Sequence, residues 1–359
     1  MSGSRVIPPM MDDQPHRQSE SVHKLRLGGI KFSEALVRLA FSPVAECADL
    51  SRILSSFAKQ RINLHQLFFN EDGSGGAELY LAEQDYRRNR SLILGELEPS
   101  GLEPVVISPV GTLTLFPHGA SIDALVKVIS LAGTPDTEIY GVCSSLSSFS
   151  IATDLDRLDR VAELILEDFF LPEGHSPFRY EPSALDLALT GGQGRVVETV
   201  ARYWEPVIRI YGSNLKTGLA ECVISFCPET LSRVMGNLSN SGVQRFEMMA
   251  LTRSQSGRCH VQVILDPGRD QGALASMRNC FADEQDAELS VRHGMEMLFF
   301  HGPHFQDRYG VIHTAVRALA RASIDFRCTS CSGTGVHLIA DEGVGNRMLE
   351  VLGEVFVVP

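Results

Sequence analysis

Two cysteines and two histidines in the last part of the chain have the residue types of a zinc site: Cys328-Thr329-Ser330-Cys331 and His301-Gly302-Pro303-His304. Thiolate and imidazole ligands at such spacings could close a tetrahedral shell. Strand alternation argues against it. Residues three apart on an extended chain point to opposite faces, so Cys328 and Cys331 should diverge. No metal and no cofactor is therefore expected. His260 and His337 lie in apolar, strand-like runs without a paired nucleophile in a recognisable motif, and they read as sheet residues rather than general bases. Gly191-Gly192-Gln193-Gly194 has the glycines of a phosphate cradle but lacks the Lys-Ser/Thr ending, which leaves a hinge. Tyr203 and Trp204 should pack that hinge against the second half. No catalytic residue emerges, and the chain is expected not to be an enzyme.

Composition narrows what remains. The 359 residues carry 32 Lys and Arg against 44 Asp and Glu, a net charge of −12, and no basic stripe offsets it. Phosphate binding needs clustered cations, so neither nucleic acid nor an anionic membrane is an expected partner. Apolar residues make up 44% of the chain and charged residues 21%, a balance able to build a core. Eight cysteines are scattered along a chain without a secretory signal, and no apolar run approaches the ~20 residues of a membrane helix. The expectation is a cytoplasmic protein with free thiols.

The elements that must position any site recur four times. Leu36 to Phe41 is strand-like, and Leu50, Ile53, Leu54 and Phe57 follow at helical spacing. Ile62 to Phe69 and Ala77 to Leu81 are extended apolar runs, with a charged helical stretch from Asp85. The same order restarts at Gly111, with a helix over Ile122 to Leu131 and a stripe of Leu155, Leu158, Val161, Ala162, Ile165 and Phe169. The two halves also repeat each other. Leu50-Ser51-Arg52 reappears as Leu231-Ser232-Arg233, Leu25-Arg26-Leu27-Gly28 resembles Ile208-Arg209-Ile210-Tyr211, and Ala152-Thr153-Asp154 matches Ile339-Ala340-Asp341. These patterns divide the chain into a disordered tail (1–24), a first unit (25–110), a second (111–180), a hinge (181–207), a third (208–293) and a fourth (294–359).

A strand-helix-strand-strand-helix-strand unit of about 70 residues places both helices on one sheet face. The expected architecture is α+β: four ferredoxin-like units in two tandem pairs, with antiparallel sheets and helices on one face. Edge-to-edge pairing hides strands that would otherwise be open. It also turns the start of each first helix toward the neighbouring unit, where free N–H groups suit a carboxylate.

The fourth unit resembles the second ACT domain of aspartokinase regulatory regions. Gly310-Val311 begins its helix, Ala315 to Ala322 is Ala-rich, and Ile324-Asp325 opens the next strand. Ser330-Cys331-Ser332 occupies a Ser-Thr-Ser-like segment, and Val336 to Asp341 ends in the family's strand-then-acid pattern. In the first unit Arg61-Ile62-Asn63 resembles the family's Gly-Ile-Asn, and Asn70 falls at its strand-end Asn. The helix-opening Pro-Gly of the family is Tyr309-Gly310 in the fourth unit and Cys47-Ala48 in the first. Ser121-Ile122 stands near that position in the second, and Pro228-Glu229 opens the third on a shortened loop.

The family's kinase domain, with its Lys-Phe-Gly-Gly opening, is not found. The resemblance therefore implies a stand-alone regulatory half: a sensor of a free amino acid, pairing as a homodimer or within one chain. It would act on an amino-acid biosynthetic enzyme or through its own assembly. The alternatives are a non-sensing dimerisation scaffold with degenerate sites and a Cys/His zinc protein. The implied ligand site lies at the opening of the fourth unit, with Asp307, Tyr309, Gly310, Val311, Ile324, Asp325, Ser330 and Ser332. Ser121 and Ile122 are its counterparts in the second unit, and Ile62, Asn63 and Asn70 in the first. Gly310 leaves room at the helix start, and Asp325 or Asp307 would take the ligand's ammonium. Ser330 and Ser332, two apart on a strand, would share a face.

Overall fold

The computed structural model describes residues 25–44, 46–71, 76–116, 121–130, 137–145, 148–171, 208–254, 257–302, 308–333 and 335–357. The expected tail (1–24) and hinge (181–207), with Tyr203 and Trp204, lie outside them. The first half runs β1 (Leu25–Arg26), β2 (Gly29–Phe32), β3 (Leu36–Phe41), α1 (Cys47–Lys59), β4 (Leu64–Asn70), β5 (Gly76–Ala82), α2 (Glu83–Leu97), β6 (Val105–Phe116), α3 (Ile122–Ser130), β7 (Ile139–Ser144), β8 (Phe149–Asp154), α4 (Leu158–Asp168) and β9 (Phe169–Phe170). The second half runs β10 (Gly212–Phe226), α5 (Leu231–Asn240), β11 (Met248–Arg253), β12 (Cys259–Leu265), α6 (Ala273–Phe281), β13 (Ala287–His301), α7 (Val311–Arg321), β14 (Cys328–Ser332), β15 (Gly335–Asp341) and α8 (Gly345–Val355).

Helical spacing explains which faces are buried. Leu50, Ile53, Leu54 and Phe57 line one side of α1, and Ile312, Ala315, Val316 and Leu319 one side of α7. Each large aliphatic side chain buried there contributes about 1.5–3 kcal/mol. The strands form one antiparallel sheet in the order β2-β6-β3-β5-β4-β14-β15-β13-β10-β12-β11-β7-β8, and β8 returns to pair with β6. It folds into two facing layers. One core lies beneath α1, α2, α7 and α8, and a second beneath α3, α4, α5 and α6. A third apolar cluster, including Phe68, Cys143, Met248, Met297, Cys328 and Ile339, fills the space between the layers.

Three long strands pass from one layer to the other. β6 pairs with β3 through Val105–Val110 and with β8 through Val110–Leu115, changing partners beside Pro109, which has no N–H to donate. β10 and β13 pair along their whole length. Their register shifts between Lys216 and Ala220, near Gly218 and Gly294, which both have positive φ.

This topology departs from the expected tandem pairing of consecutive units. The edge strand β4 of the first segment pairs with β14 of the fourth, and β7 of the second with β11 of the third. β2, assigned by sequence to the first unit, pairs with the later half of β6. The repeated sequence leaves a matching structural trace. β1 pairs in parallel with β9, and Arg209 bridges in parallel to Val357. Leu27 N–H donates to Phe170 O at 2.8 Å, and Ile210 N–H to Val357 O at 2.9 Å.

The face between the layers is partly polar. Arg38 is buried and grips Glu78 through Nη2–Oε1 at 2.8 Å and Nε–Oε2 at 3.2 Å, and Tyr80 donates to the same carboxylate at 3.1 Å. Arg38 also donates to Arg253 O in the opposite layer at 3.3 Å, and Ser332 Oγ meets Ser150 Oγ at 3.1 Å. Among the described residues no helix is long and apolar enough to cross a membrane.

Candidate functional site

The β4–β14 edge sets α1 and α7 side by side, and each of those helices leads into one of the two strands. Both helices end in the same turn. Arg61 and Ser323 adopt φ of 56° and 53°, uncommon for non-glycine residues, and Ile62 N–H donates to Phe57 O and Ile324 N–H to Leu319 O, each at 3.0 Å. The end of one helix then faces the start of the other, twice over.

At one of these seams Gly310 opens α7 with φ of 82°, and a Cβ placed on it would meet nothing within 4 Å. Val311 and Ile312 are buried, and among the described residues no side chain caps the helix. A cleft here is lined by Leu54, Phe57, Ala58, Ile62 and Leu64 from the first segment, and by Arg308 and Gly310–His313 from the fourth. Burial, then Arg317 and Lys59, push the His313 pKa down. The result is a narrow notch of about 10 Å³ at a helix start, its apolar side chains closed on one another and Arg308 and His313 beside it.

The sister seam, at the start of α1, is filled. Cys47 is buried, and its Sγ receives Phe326 N–H at 3.4 Å and lies 3.8 Å from Phe326 O. Burial first, with Asp325 and Glu71 nearby, pushes its pKa up to about 12. At the start of α3 the chain supplies its own partners. Ile122 N–H donates to Gln244 O at 3.1 Å, and Ala124 N–H to Ser121 Oγ at 3.4 Å.

The structure therefore groups the anticipated residues differently. Tyr309, Gly310 and Val311 form the α7 start, and Ile62 and Asn63 belong to the turn that faces it. Ile324 and Asp325 lie at the far end of α7, about 16 Å away at 1.5 Å per residue. There Asp325 approaches Cys47. Ser330 and Ser332 do share a face, but it is the one between the sheets, where Ser332 meets Ser150. Asn70 lines a different cleft, with Glu78, Arg253 and His260. Asp307 lies outside the described residues. Sequence reasoning missed Arg308, Cys47 and Gln244 as the groups that line or close these helix starts.

The metal and base candidates also separate. Cys328 joins the cluster between the sheets, whereas Cys331 faces the helix-side core. His304 lies outside the described residues, and His301 stacks on Phe299. Among the described residues no three metal-ligating side chains converge. His260 Nδ1 lies 2.8 Å from Ser225 Oγ, and His337 is fully buried.

No family model matches the sequence, and no curated protein matches it. Solved structures do. The α+β fold, with its large antiparallel sheet and eight helices among the described residues, is similar to that of aspartate kinases. The aspartate kinase of Synechocystis superposes with a TM-score of 0.71 at 14% identity, over 92% of this chain and 56% of that one. The ligand-free regulatory subunit of aspartate kinase from Thermus thermophilus matches 40% of this chain and 99% of its own, at 9% identity and a TM-score of 0.36. The aspartate kinase of Clostridium acetobutylicum matches 42% and 37%, at 12% and 0.36.

At these identities the likeness is one of fold, and the chain spans 56% of the length of the Synechocystis enzyme. It corrects two expectations. Since 92% of the chain superposes on an enzyme, the reading of a non-enzyme is withdrawn, and a regulatory half without its kinase domain finds no support.

Proposed function

We propose that this chain has an aspartokinase-related regulatory role, exerted by binding a free amino acid between ACT-like units. The units are taken as four ferredoxin-like repeats, the first beside the fourth and the second beside the third. The effector's carboxylate would sit at the α7 start, against the N–H groups of Val311–His313 and near Arg308; the notch there is only about 10 Å³, so binding would part the two repeats at Leu54, Phe57, Ile62 and Leu64. One observation carries this reading: the start of α7 lies against the turn that closes α1, in another repeat. A ligand there touches two repeats at once, so it can favour one arrangement of them over another. A coupling of about 1–3 kcal/mol would make a useful response.

A thermal-shift screen of the twenty amino acids tests it. A ligand at a hundred times its dissociation constant should add about 2.7 kcal/mol of stability. Gly310→Val, which forces a β-branched residue into positive φ, should weaken that response at least tenfold, about 1.4 kcal/mol. No shift with any amino acid would refute the reading.

A further inference from the structure

The four helix pairs differ in how their cations are balanced. Lys59, the last residue of α1, binds Glu96 of α2 at 2.8 Å, and Lys127 of α3 binds Asp168 of α4 at 3.3 Å. Arg233 of α5 binds Glu284 and Asp286, just past α6, at 2.8 and 3.0 Å. The fourth pair lacks such a tie. Arg321 ends α7 as Lys59 ends α1, two residues before a turn residue with positive φ. Yet among the described residues neither Arg321 nor Arg317, one turn earlier, forms an ion pair. Both are exposed, and they line a groove of about 470 Å³ between α7 and α8 whose floor includes the half-buried Ala318, Val351 and Val355. Glu354 is the one carboxylate among its lining residues.

The complementary surface lies on the other helical layer. α4 exposes Asp159, Glu163 and Glu167 at every fourth residue, with Arg160 beside them on Glu163 at 3.2 Å. Just past α4, Phe170 is 54% exposed. Glu163 and Glu167 stand four residues apart, as do Arg317 and Arg321, about 6 Å along each helix.

We infer that α4 of one copy of this chain docks into the α7–α8 groove of another, with Glu163 and Glu167 on Arg317 and Arg321 and Phe170 over the apolar floor. Carboxylate–guanidinium bonds are charge-assisted, and the floor gives Phe170 a surface to cover. A net charge of −12 makes copies repel over most of their surface, so an uncompensated cationic groove is where they can meet. Helix and groove are different surfaces, so the contact is head-to-tail, and every copy offers both halves of it.

Sedimentation velocity of the whole chain over a range of concentrations tests this. Wild type should self-associate, at least tenfold more weakly in about 0.5 M than in about 0.05 M salt, because exposed charges are screened. Arg317→Glu with Arg321→Glu should remain monomeric where wild type associates, and so should Glu163→Arg with Glu167→Arg. All four side chains are exposed, so the fold should tolerate both pairs. An equimolar mixture of the two double variants should associate again, because each reversed surface then meets its complement. A monomeric wild type, association that survives either double substitution, or a mixture that stays monomeric would each overturn the inference.

Discussion

Replacing His337 by leucine should alter the protein's response to acid more than its stability at neutral pH. His337 is fully buried on β15, with its ring 4.9 Å from that of Phe299 and neither nitrogen hydrogen-bonded. Burial, reinforced by Lys216, lowers its pKa from 6.5 to about 3. The folded state therefore keeps a neutral imidazole while the unfolded chain takes up a proton as the pH falls below 6.5. Because the folded pKa is the lower one, the stabilisation is present above the unfolded pKa and is lost on acidification. The slope is about 1.4 kcal/mol per pH unit, so the histidine costs about 2.5 kcal/mol between pH 7 and pH 4.5. Urea denaturation of wild type and His337→Leu at several pH values measures this directly. Groups common to both proteins cancel, and the variant should gain on wild type by that amount across the range. At pH 7 the difference should be small, since an apolar side chain replaces an unsatisfied polar one. Parallel pH curves would refute the reasoning, because they would mean that the folded protein protonates this ring as readily as the unfolded chain does.

Two further outcomes follow from groups buried between or beneath the sheets. Arg38→Met should destabilise by about 3–5 kcal/mol by stranding the Glu78 carboxylate, and adding Glu78→Leu should recover most of that loss in denaturant titrations. In native protein a thiol reagent should modify Cys227 and Cys280 first, because the other six cysteines are buried, and all eight should react in denaturant. Rapid native labelling of Cys47, Cys143 or Cys331, whose pKa values burial raises, would contradict the packing described.

Much of the local structure was legible because burial imposes a period. The apolar spacing from Leu50 to Phe57 marks α1, and Ala152-Thr153-Asp154 and Ile339-Ala340-Asp341 mark the ends of β8 and β15. The pairing of segments was not legible. Whether β4 meets a neighbour or β14 depends on edges whose sequences are alike in character. The long strands were hidden for a related reason: β10 is largely exposed over its first half and buried over its second, so no single alternation runs through it. For the site, Gly310 announced the α7 start. The two-residue spacing of Ser330 and Ser332 fixed that they share a face but not which one. That was decided by Cys331 and Val336, which turn to the helices. Nothing local to Cys47 reveals Phe326, which reaches it only through the β4–β14 edge.

The strands that serve both layers have a consequence for how the molecule can be taken apart. β6, β10 and β13 each begin in one layer of the sheet and finish in the other, so each acts as a continuous beam between the layers. A cut at the apparent boundary near residue 110 severs a beam at its bearing point and leaves two half-strands, each with unpaired N–H and C=O groups. Dissection into separate domains is thus disfavoured by construction. Parting the two layers would strain all three strands together.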